Sequence, residues 1–332
     1  MTATYLLSPQ EILWKIITTY GHDPEAVFAR VGLTHDMLFE QGARIHHKPV
    51  DRLWDEATRV INDPCFGLRA AEFWHPSHFN ALGYAWLASC TLRQALERLD
   101  RYIHIISQAT DIRLVENAEG LTLTLSDSLE QPARMDSSMA IVVTMCRLNF
   151  GPNLMPLAVR FIHQEPACGE KYFAVFKCPV YFSAEHDELV LKKEDADKRL
   201  PGGNPHLAEI NDRIIIRYLA ELNQADITHR TQAAIIDRLP SGNISDEKVA
   251  RDLSVSVRSL QRKLQQSGTN FRQLLDQTRE DLARQYVRDN RLDLTEIAFL
   301  LGFSEHSSFS RAFKRWTGQP PRDFRKAQSL AS

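Results

Sequence analysis

Near its end, the chain contains a stretch with the pattern of two short helices around a tight turn. Residues 294–315 read LTEIAFLLGFSEHSSFSRAFKR. The first predicted helix has apolar residues at three-to-four spacing, which are Ile297, Leu300 and Leu301. Gly302 can take a positive φ and end that helix, and Ser304 can cap the next one, whose inner side carries Phe309 and Phe313. The pattern predicts a helix-turn-helix, although an ordinary helical hairpin fits this stretch equally well when it is taken alone.

A second copy of the same plan lies earlier in the chain. Residues 246–264 read DEKVARDLSVSVRSLQRKL. The predicted inner face of this copy consists of Val249, Ala250, Leu253, Leu260 and Leu264. Ser254 stands at the turn position where glycine is usual. Two such units in one chain favour a DNA-binding interpretation over an isolated hairpin.

The residues between the two copies predict one long helix. From residue 270 to residue 289 the apolar side chains fall on one face, and they are Phe271, Leu274, Leu275, Leu282 and Tyr286. A helix of this length spans roughly 30 Å at about 1.5 Å per residue. One turn of B-DNA is about 34 Å long. We therefore expect this helix to hold two recognition helices in successive major grooves on one face of DNA.

The two copies and their linker resemble the AraC/XylS family of bacterial transcription regulators. The resemblance runs from about residue 227 to residue 325, and the residues that carry it are Ile297-Ala298, Gly302-Phe303, Ser308-Phe309, Arg311-Ala312-Phe313-Lys314, Gly318, Pro320-Pro321 and Phe324-Arg325. The residue before the closing arginine is usually tyrosine in that family, and Phe324 keeps its packing role. The resemblance implies a domain of seven helices, double-stranded promoter DNA as its ligand and RNA polymerase as a partner.

Outward-facing side chains on the two recognition helices are the candidate DNA-binding residues. They are Arg258, Gln261, Arg262, Lys263, His306, Ser307, Ser308, Ser310, Arg311, Lys314 and Arg315. The guanidinium forks of Arg262 and Arg311 can pair with guanine N7 and O6 or grip a phosphate. Gln261 can form two hydrogen bonds with adenine N6 and N7. These three side chains are the expected readers of sequence.

The other candidates divide between phosphate contacts and positions implied by the resemblance. We expect the cations Lys263, Lys314 and Arg315, together with Arg322, to contact phosphates. The resemblance implies contacts to bases or backbone at the positions of Arg258, His306, Ser307, Ser308 and Ser310.

The charge of the chain is unevenly distributed. The 332 residues have a formal net charge of −2, and this length suits two domains. Residues 226–332, however, contain 18 Lys and Arg against 13 Asp and Glu. A basic module attached to an acidic domain is typical of a nucleic-acid binder with a separate ligand or protein function.

The cysteines and the N-terminus indicate the cellular compartment in which the protein is expected. The five cysteines (Cys65, Cys90, Cys146, Cys168 and Cys178) show no CxxC spacing and are interpreted as buried thiols in a reducing compartment. The first ten residues lack a basic segment followed by an apolar one, so no signal peptide is expected. No apolar run reaches the about 18 residues of a membrane span. We expect a cytoplasmic protein.

The N-terminal half predicts a mixed α/β (α+β) domain. Apolar stripes predict helices over the first hundred residues, and alternation predicts a hairpin of strands at 112–116 and 121–125. A helix is expected at 134–150, with strands at 158–163, 180–183 and 188–191. The predicted organisation is an effector-binding and dimerisation domain at 1–222, a connector at 223–230 and an all-α domain with two helix-turn-helix motifs at 231–328.

This half resembles the branch of the same family that carries an arabinose-binding-like N-terminal domain. The residues that carry the resemblance are Leu82-Gly83-Tyr84, Ser89-Cys90-Thr91-Leu92, Ala95-Leu96, Tyr172 and Phe176-Lys177-Cys178-Pro179-Val180. One expected function is a regulator switched by a small-molecule effector bound in this domain. The alternative is a regulator controlled by its abundance or by a partner protein, with the N-terminal domain serving only dimerisation. In either case we expect a homodimer, with the helix at 205–222 at or near the contact.

Catalytic motifs are absent from the sequence. It has no P-loop, no GxSxG and no dinucleotide fingerprint, so no cofactor is expected. The histidines at 46, 47, 75 and 78 and the carboxylates Glu185, Asp187 and Glu188 have no motif context. They are interpreted as structural polar groups, and no catalytic or metal site is predicted.

Overall fold

The chain forms two compact units, residues 1–211 and residues 212–332. The computed structural model describes residues 3–40, 42–127, 131–222, 227–287 and 292–329. The sequence predicts domain limits at 1–222 and 231–328, and residues 223–226 of the predicted connector 223–230 lie outside the described residues. These limits stay predictions, because one helix, Pro205–Leu222, crosses the division between the units.

The first unit is mainly helical over its first hundred residues, as its apolar periodicity predicts. Its helices there are α1 Gln10–Thr19, α2 Pro24–Ala29, α3 His47–Ile61, α4 Ala70–Phe73, α5 Asn80–Leu87 and α6 Leu92–Tyr102. Helix α6 shows the local cause. The hydroxyl of Thr91 accepts a hydrogen bond from the Gln94 amide (3.1 Å), which caps the helix, and Leu92, Leu96 and Leu99 bury one face.

Two sheets complete this unit. A small sheet pairs β1 Thr4–Leu6 with β2 Arg44–His46, two strands too short to show alternation in the sequence. The larger sheet contains β3 Thr110–Glu116, β4 Leu121–Asp127, β5 Ala158–Arg160, β6 Val180–Tyr181 and β7 Asp187–Leu191. Its strand order is β3-β4-β7-β5-β6, with antiparallel neighbours except for the parallel pair β5–β6.

Strands β3 and β4 confirm the predicted hairpin. Ile112 lies opposite Leu125, and Leu114 lies opposite Leu123. The side chain of Asn117 accepts hydrogen bonds from the amides of Glu119 and Gly120 at 2.9 and 3.1 Å, which closes the turn. The predicted α+β class of this unit is therefore correct.

Helix α7, Pro132–Phe150, runs through the core of the first unit and confirms the helix predicted at 134–150. It is buried along Met139, Ala140, Val143 and Cys146. A Cβ atom placed on Gly67 would lie 1.9 Å from the Ala133 carbonyl oxygen, so the short 3-10 turn around Gly67 packs directly on the start of α7. Two shorter helices follow, α8 Glu170–Phe176 and α9 Lys193–Asp197.

The cysteines correct one expectation. Cys65 and Cys168 form a disulfide, with their Cα atoms 6.4 Å apart, and are therefore not thiols. Cys146 and Cys178 are buried free cysteines as expected, whereas Cys90 is only half-buried. The sequence did not indicate the pair because 103 residues separate its members, and only the packing of the unit brings them together.

From residue 227 onward, the described residues form the seven helices that the family resemblance implies. After α10 Pro205–Leu222, they are α11 Ile227–Arg238, α12 Asp246–Asp252, α13 Val257–Gln266, α14 Phe271–Val287, α15 Leu294–Leu300, α16 His306–Thr317 and α17 Pro321–Ser329. Phe324 packs edge-to-face on Phe313, with ring centroids 5.3 Å apart, as expected for the residue that replaces tyrosine. None of the helices described in either unit has the length and apolar character needed to cross a membrane.

Candidate nucleic-acid interface

The first helix-turn-helix is formed by α12 and α13. The hydroxyls of Ser245 and Ser256 accept hydrogen bonds from amides of the first turns and cap the two helices. Val249 and Leu260 are fully buried between them. Ser254 occupies the turn with φ of 54°, the left-handed conformation that glycine adopts most easily. This unit therefore folds as predicted in spite of a less suitable turn residue.

The second helix-turn-helix is formed by α15 and α16. A capping box of Asp293 and Glu296 starts α15, and the amides of Glu296 and Thr295 lower the pKa of Asp293 by hydrogen bonding. Gly302 ends the helix with φ of 70°. The expected cap of α16 at Ser304 is wrong. The helix starts one residue later, after Glu305, without a side-chain cap.

The joining helix α14 is confirmed over most of its predicted length. It covers Phe271–Val287, and residues 288 and 289 of the predicted helix lie outside the described residues. Leu274, Leu282 and Tyr286 are buried as expected. Since α14 contacts α11, α15, α16 and α17, it forms the core against which the second helix-turn-helix packs.

An arginine on this helix was missed by the sequence analysis. Arg279 donates hydrogen bonds to the carbonyl oxygens of Leu301 (3.0 Å) and Gly302 (3.1 Å), and its guanidinium lies 4.5 Å from the ring centroid of Phe303. Burial lowers the pKa of Arg279. The available signal was a charged residue at a position within the apolar spacing of α14. The residue holds the turn of the second motif against the joining helix.

The candidate residues on α13 lie on its outer side. Arg258, Gln261, Arg262 and Lys263 are all exposed. The Gln261 amide nitrogen donates to an Asp246 carboxylate oxygen at 2.8 Å, which orients the side chain from the preceding helix. Within the described part of the chain, the other three cations have no ion-pair or hydrogen-bond partner.

The candidate residues on α16 are exposed with two exceptions. His306, Ser307, Arg311, Lys314 and Arg315 are exposed, whereas Ser308 and Ser310 are half-buried beside the buried Phe309. Four contacts organise this face, and one of them is the hydrogen bond from the Ser307 hydroxyl to a Glu305 carboxylate oxygen (3.0 Å). Arg311 donates to the Ser308 hydroxyl (3.4 Å), Ser310 lies 3.4 Å from a ring nitrogen of His306, and Arg315 pairs with Asp276 of α14 at 3.0 Å.

The arrangement presents forked cations, an amide and hydroxyls on the outer faces of α13 and α16. These groups are the hydrogen-bond donors and acceptors that base edges and phosphates require. Two of these side chains are bonded to neighbouring carboxylates. Gln261 donates to Asp246, and Arg315 donates to Asp276. The two carboxylates act as internal partners in the absence of DNA.

The polar groups considered as catalytic candidates have structural partners. His78 accepts from the His75 amide through Nδ1 and bonds the Glu11 carboxylate through Nε2, both at 3.0 Å. An Asp187 carboxylate oxygen accepts from the Ile162 amide, and Glu188 pairs with Arg160. These contacts hold loops and strands in place.

Comparison with known proteins gives matches in both units. A family model described as "Arabinose-binding domain of AraC transcription regulator, N-term" matches residues 21–200, and one described as "Helix-turn-helix domain" matches residues 249–327. The second match includes both α13 and α16.

The similar proteins are regulators of transcription rather than enzymes. The chain is 29% identical over 323 residues to the Ornithine utilization regulator of Pseudomonas aeruginosa, a match that covers 96% of this chain and 95% of that protein. It is 26% identical over 316 residues to the HTH-type transcriptional regulator VirS of Mycobacterium tuberculosis, covering 92% and 91%. Among solved structures, the transcriptional regulator CdpR from Pseudomonas aeruginosa is 23% identical with a TM-score of 0.49, covering 95% and 98%. Because the arabinose-binding match spans more than half of the chain, the protein belongs to the AraC family of DNA-binding transcription regulators, with an arabinose-binding-type N-terminal domain and a C-terminal helix-turn-helix domain.

Proposed function

We propose that the protein reads a specific promoter sequence with α13 and α16 and that a small-molecule effector bound in its N-terminal domain switches this activity. The observation that carries the DNA-binding part is the pair of helices α13 and α16, which hold the eleven candidate side chains. The joining helix α14 has 17 described residues, which corresponds to roughly 25 Å at about 1.5 Å per residue. In this proposal the helix holds the two recognition helices in successive major grooves, which lie about 34 Å apart.

The candidate side chains have different roles in this proposal. Arg262 and Arg311 pair with guanine edges, and Gln261 pairs with an adenine edge once DNA competes for its bond with Asp246. The phosphate contacts come from Lys263, Lys314, Arg315 and Arg322. Contacts to bases or backbone come from Arg258, His306, Ser307, Ser308 and Ser310.

A comparison of base-reading and phosphate-contacting variants tests these roles. The target is the DNA site that the wild-type protein selects from a random library. Gln261→Ala and Arg311→Ala should each weaken binding to this site by about 1–3 kcal/mol and change binding to random DNA far less. Lys314→Ala is the matched control, because loss of a phosphate contact weakens both complexes equally. Equal losses on both DNAs for Gln261→Ala and Arg311→Ala would reassign these side chains to phosphates.

The DNA-binding activity should reside in the second unit. A fragment of residues 226–332 contains both motifs and the excess of positive charge. We expect it to fold alone and to bind DNA with an affinity that falls steeply with salt, because bound cations release counterions. A fragment that is helical by circular dichroism but gives no salt-sensitive complex would contradict this assignment.

The proposal of effector control is supported by the match to the arabinose-binding family and by the name of one relative. That relative is called a regulator of ornithine utilization, so amino acids and amines come first in a thermal-shift screen, followed by fatty acids and sugars. An effector raises the melting temperature by mass action. If no compound does so while DNA binding persists, control by abundance or by a partner protein replaces effector control.

The remaining parts of the proposal concern assembly and location. The protein acts as a homodimer, and an exposed apolar stripe on α10, formed by Leu207, Ile210 and Ile214, supports this. It activates transcription by contacting RNA polymerase. Its place of action is the cytoplasm, where promoter DNA lies.

A further inference from the structure

A disulfide connects two distant segments of the first unit. Cys65 precedes the 3-10 turn Phe66–Arg69, and Cys168 lies in the loop before α8. Both the turn and α8 contact helix α7, and they also contact each other. The bond therefore ties together two segments that pack on the same core helix.

The surroundings of the pair accommodate the reduced state as well. The Cys65 sulfur lies 3.4 Å from the Cys168 carbonyl oxygen, and the Cys168 sulfur lies 3.9 Å from a carboxylate oxygen of Asp63. Each thiol thus has an acceptor for its weak S–H donor once the bond opens. Reduction leaves no thiol without a partner.

Asp63 is itself held in place from three sides. Its carboxylate accepts hydrogen bonds from the Tyr20 hydroxyl (2.7 Å), the Cys65 amide (2.9 Å) and the Lys171 ammonium (3.0 Å). Asp63 thus has three hydrogen-bond donors besides the Cys168 sulfur. The two cysteines differ in access, since Cys168 is 8% exposed and Cys65 is 2% exposed.

We propose that Cys65 and Cys168 form a redox-reversible disulfide, a modification site in the first unit for peroxides and for thiol reductants. The inference rests on the proposed function, because a DNA-binding regulator works in the compartment that holds its DNA. Thiols are kept reduced there, and a disulfide in such a compartment is usually transient or redox-sensing rather than permanent. The reduced pair is the resting state, and oxidation adds the bond between the turn and α8.

The oxidation step balances with one peroxide. The Cys168 thiol gives up its proton and attacks hydrogen peroxide, so that an S–O bond forms, the O–O bond breaks and the departing hydroxide takes that proton to become water. The Cys65 thiol then gives up its proton and attacks the sulfenic sulfur, so that the S–S bond forms, the S–O bond breaks and the departing hydroxide takes this proton and leaves as a second water. Two electrons pass from the two sulfurs to the peroxide. A dithiol reductant reverses the reaction through two thiol–disulfide exchanges and is itself oxidised.

Peptide mapping of the full-length protein tests the chemistry directly. The wild-type protein is treated with hydrogen peroxide, alkylated and digested, and one portion receives dithiothreitol before alkylation under native conditions. We expect a linked peptide containing Cys65 and Cys168 that disappears after dithiothreitol. Cys90→Ser is the matched control and should behave like the wild type, whereas Cys168→Ser should give no linked peptide.

Thermal unfolding of the same samples tests the physical effect. A bond that closes a loop of about one hundred residues limits the unfolded chain, so the oxidised wild type should melt roughly 5–15 °C above the reduced protein. Cys65→Ser/Cys168→Ser should show no such difference. Three results would overturn the proposal. They are the absence of the linked peptide, a linkage that native dithiothreitol does not open, and stoichiometric zinc in the reduced protein that is lost in Cys168→Ser, which would make Asp63, Cys65 and Cys168 a metal site.

DNA binding is measured on the reduced sample as a separate readout. If that sample binds no DNA in a salt-sensitive way, the proposed function fails while the thiol chemistry remains measurable. If it binds DNA but the linked peptide never forms, only the redox inference fails.

Discussion

The guanidinium of Arg279 donates a hydrogen bond of 3.1 Å to the carbonyl oxygen of Gly302, 23 residues further along the chain. The same side chain also donates to the Leu301 carbonyl at 3.0 Å. The carbonyl groups at the end of a helix have no hydrogen-bond donor within the helix. Here an arginine from another helix donates to two of them. The turn that positions the recognition helix α16 is therefore attached to α14 through one side chain.

Replacing Arg279 should destabilise the DNA-binding unit without removing a DNA contact. Arg279→Met loses both hydrogen bonds and the contact with the Phe303 ring, and we expect a loss of about 2–4 kcal/mol in the free energy of unfolding. Urea denaturation of the 226–332 fragment measures this loss. Arg272→Met is the control, because Arg272 is exposed on the same helix and its replacement should change stability by less than about 0.5 kcal/mol. Equal effects of the two substitutions would refute the role of Arg279.

The turns at Gly302 and Ser254 should both favour glycine. Removing a glycine should lower the stability of the unit, and introducing one should raise it. Gly302 has φ of 70°, and a Cβ there would lie 2.7 Å from the Leu239 carbonyl oxygen, so Gly302→Ala should destabilise the unit by about 2–4 kcal/mol. Ser254 has φ of 54°, and Ser254→Gly should stabilise it by about 0.5–1 kcal/mol. Both values come from the same urea titrations. A stabilising Gly302→Ala would show that the turn relaxes around the added methyl group.

The stability of the first unit should fall as the pH rises through neutrality. Asp136 is fully buried, and its carboxylate bonds His163 Nε2 (3.1 Å) and the Tyr172 hydroxyl (2.8 Å). Burial raises the pKa of Asp136. Burial alone would lower the pKa of His163, but the bond to Asp136 prevails and raises it. Both groups thus hold protons more tightly in the folded state than in the unfolded chain.

For His163 this contribution to stability is complete below the unfolded pKa of about 6.5 and is lost as the pH rises through the folded value. The melting temperature of the first unit should therefore decrease from pH 6 to pH 8 by calorimetry on the full chain. His163→Gln should flatten this dependence. His186→Gln is the control, because His186 is exposed and its substitution should leave the slope unchanged. If the melting temperature of His163→Gln still decreases with pH as in the wild type, another group is responsible for the dependence.

A charge on the apolar stripe of α10 should separate the proposed dimer. Ile214 is 53% exposed and Ile210 is 42% exposed, whereas Ile215 is fully buried. Ile214→Glu should yield a folded monomer by analytical ultracentrifugation and circular dichroism, because a dimer contact would bury the new charge. Tyr218, four residues further along the helix, is half-buried and is a weaker choice for substitution.

Two further variants make this test decisive. Ile214→Val keeps an apolar side chain at the same position and should leave the oligomeric state unchanged. Ile215→Glu should unfold the protein, because Ile215 is buried. This variant is the reference for a substitution in the core. A dimer that persists in Ile214→Glu would remove α10 from the interface.

The sequence by itself determined the two helix-turn-helix units, the joining helix, the β3–β4 hairpin and the outward position of the DNA-binding candidates. These features follow from contacts between near neighbours in the chain. Apolar spacing, a capping residue and a turn residue decide them locally, as Leu260 with Ser256 and Phe309 with Gly302 illustrate.

Only the tertiary structure decided the polar contacts between distant segments. The bond of Arg279 to Gly302, the pairing of Cys65 with Cys168 and the cluster of Asp136, His163 and Tyr172 join positions between 23 and 103 residues apart. A buried polar pair has no periodic pattern, because each member needs only one partner and that partner can lie anywhere in the chain. The position of that partner depends on how the apolar faces pack. These contacts are therefore visible only in the tertiary structure.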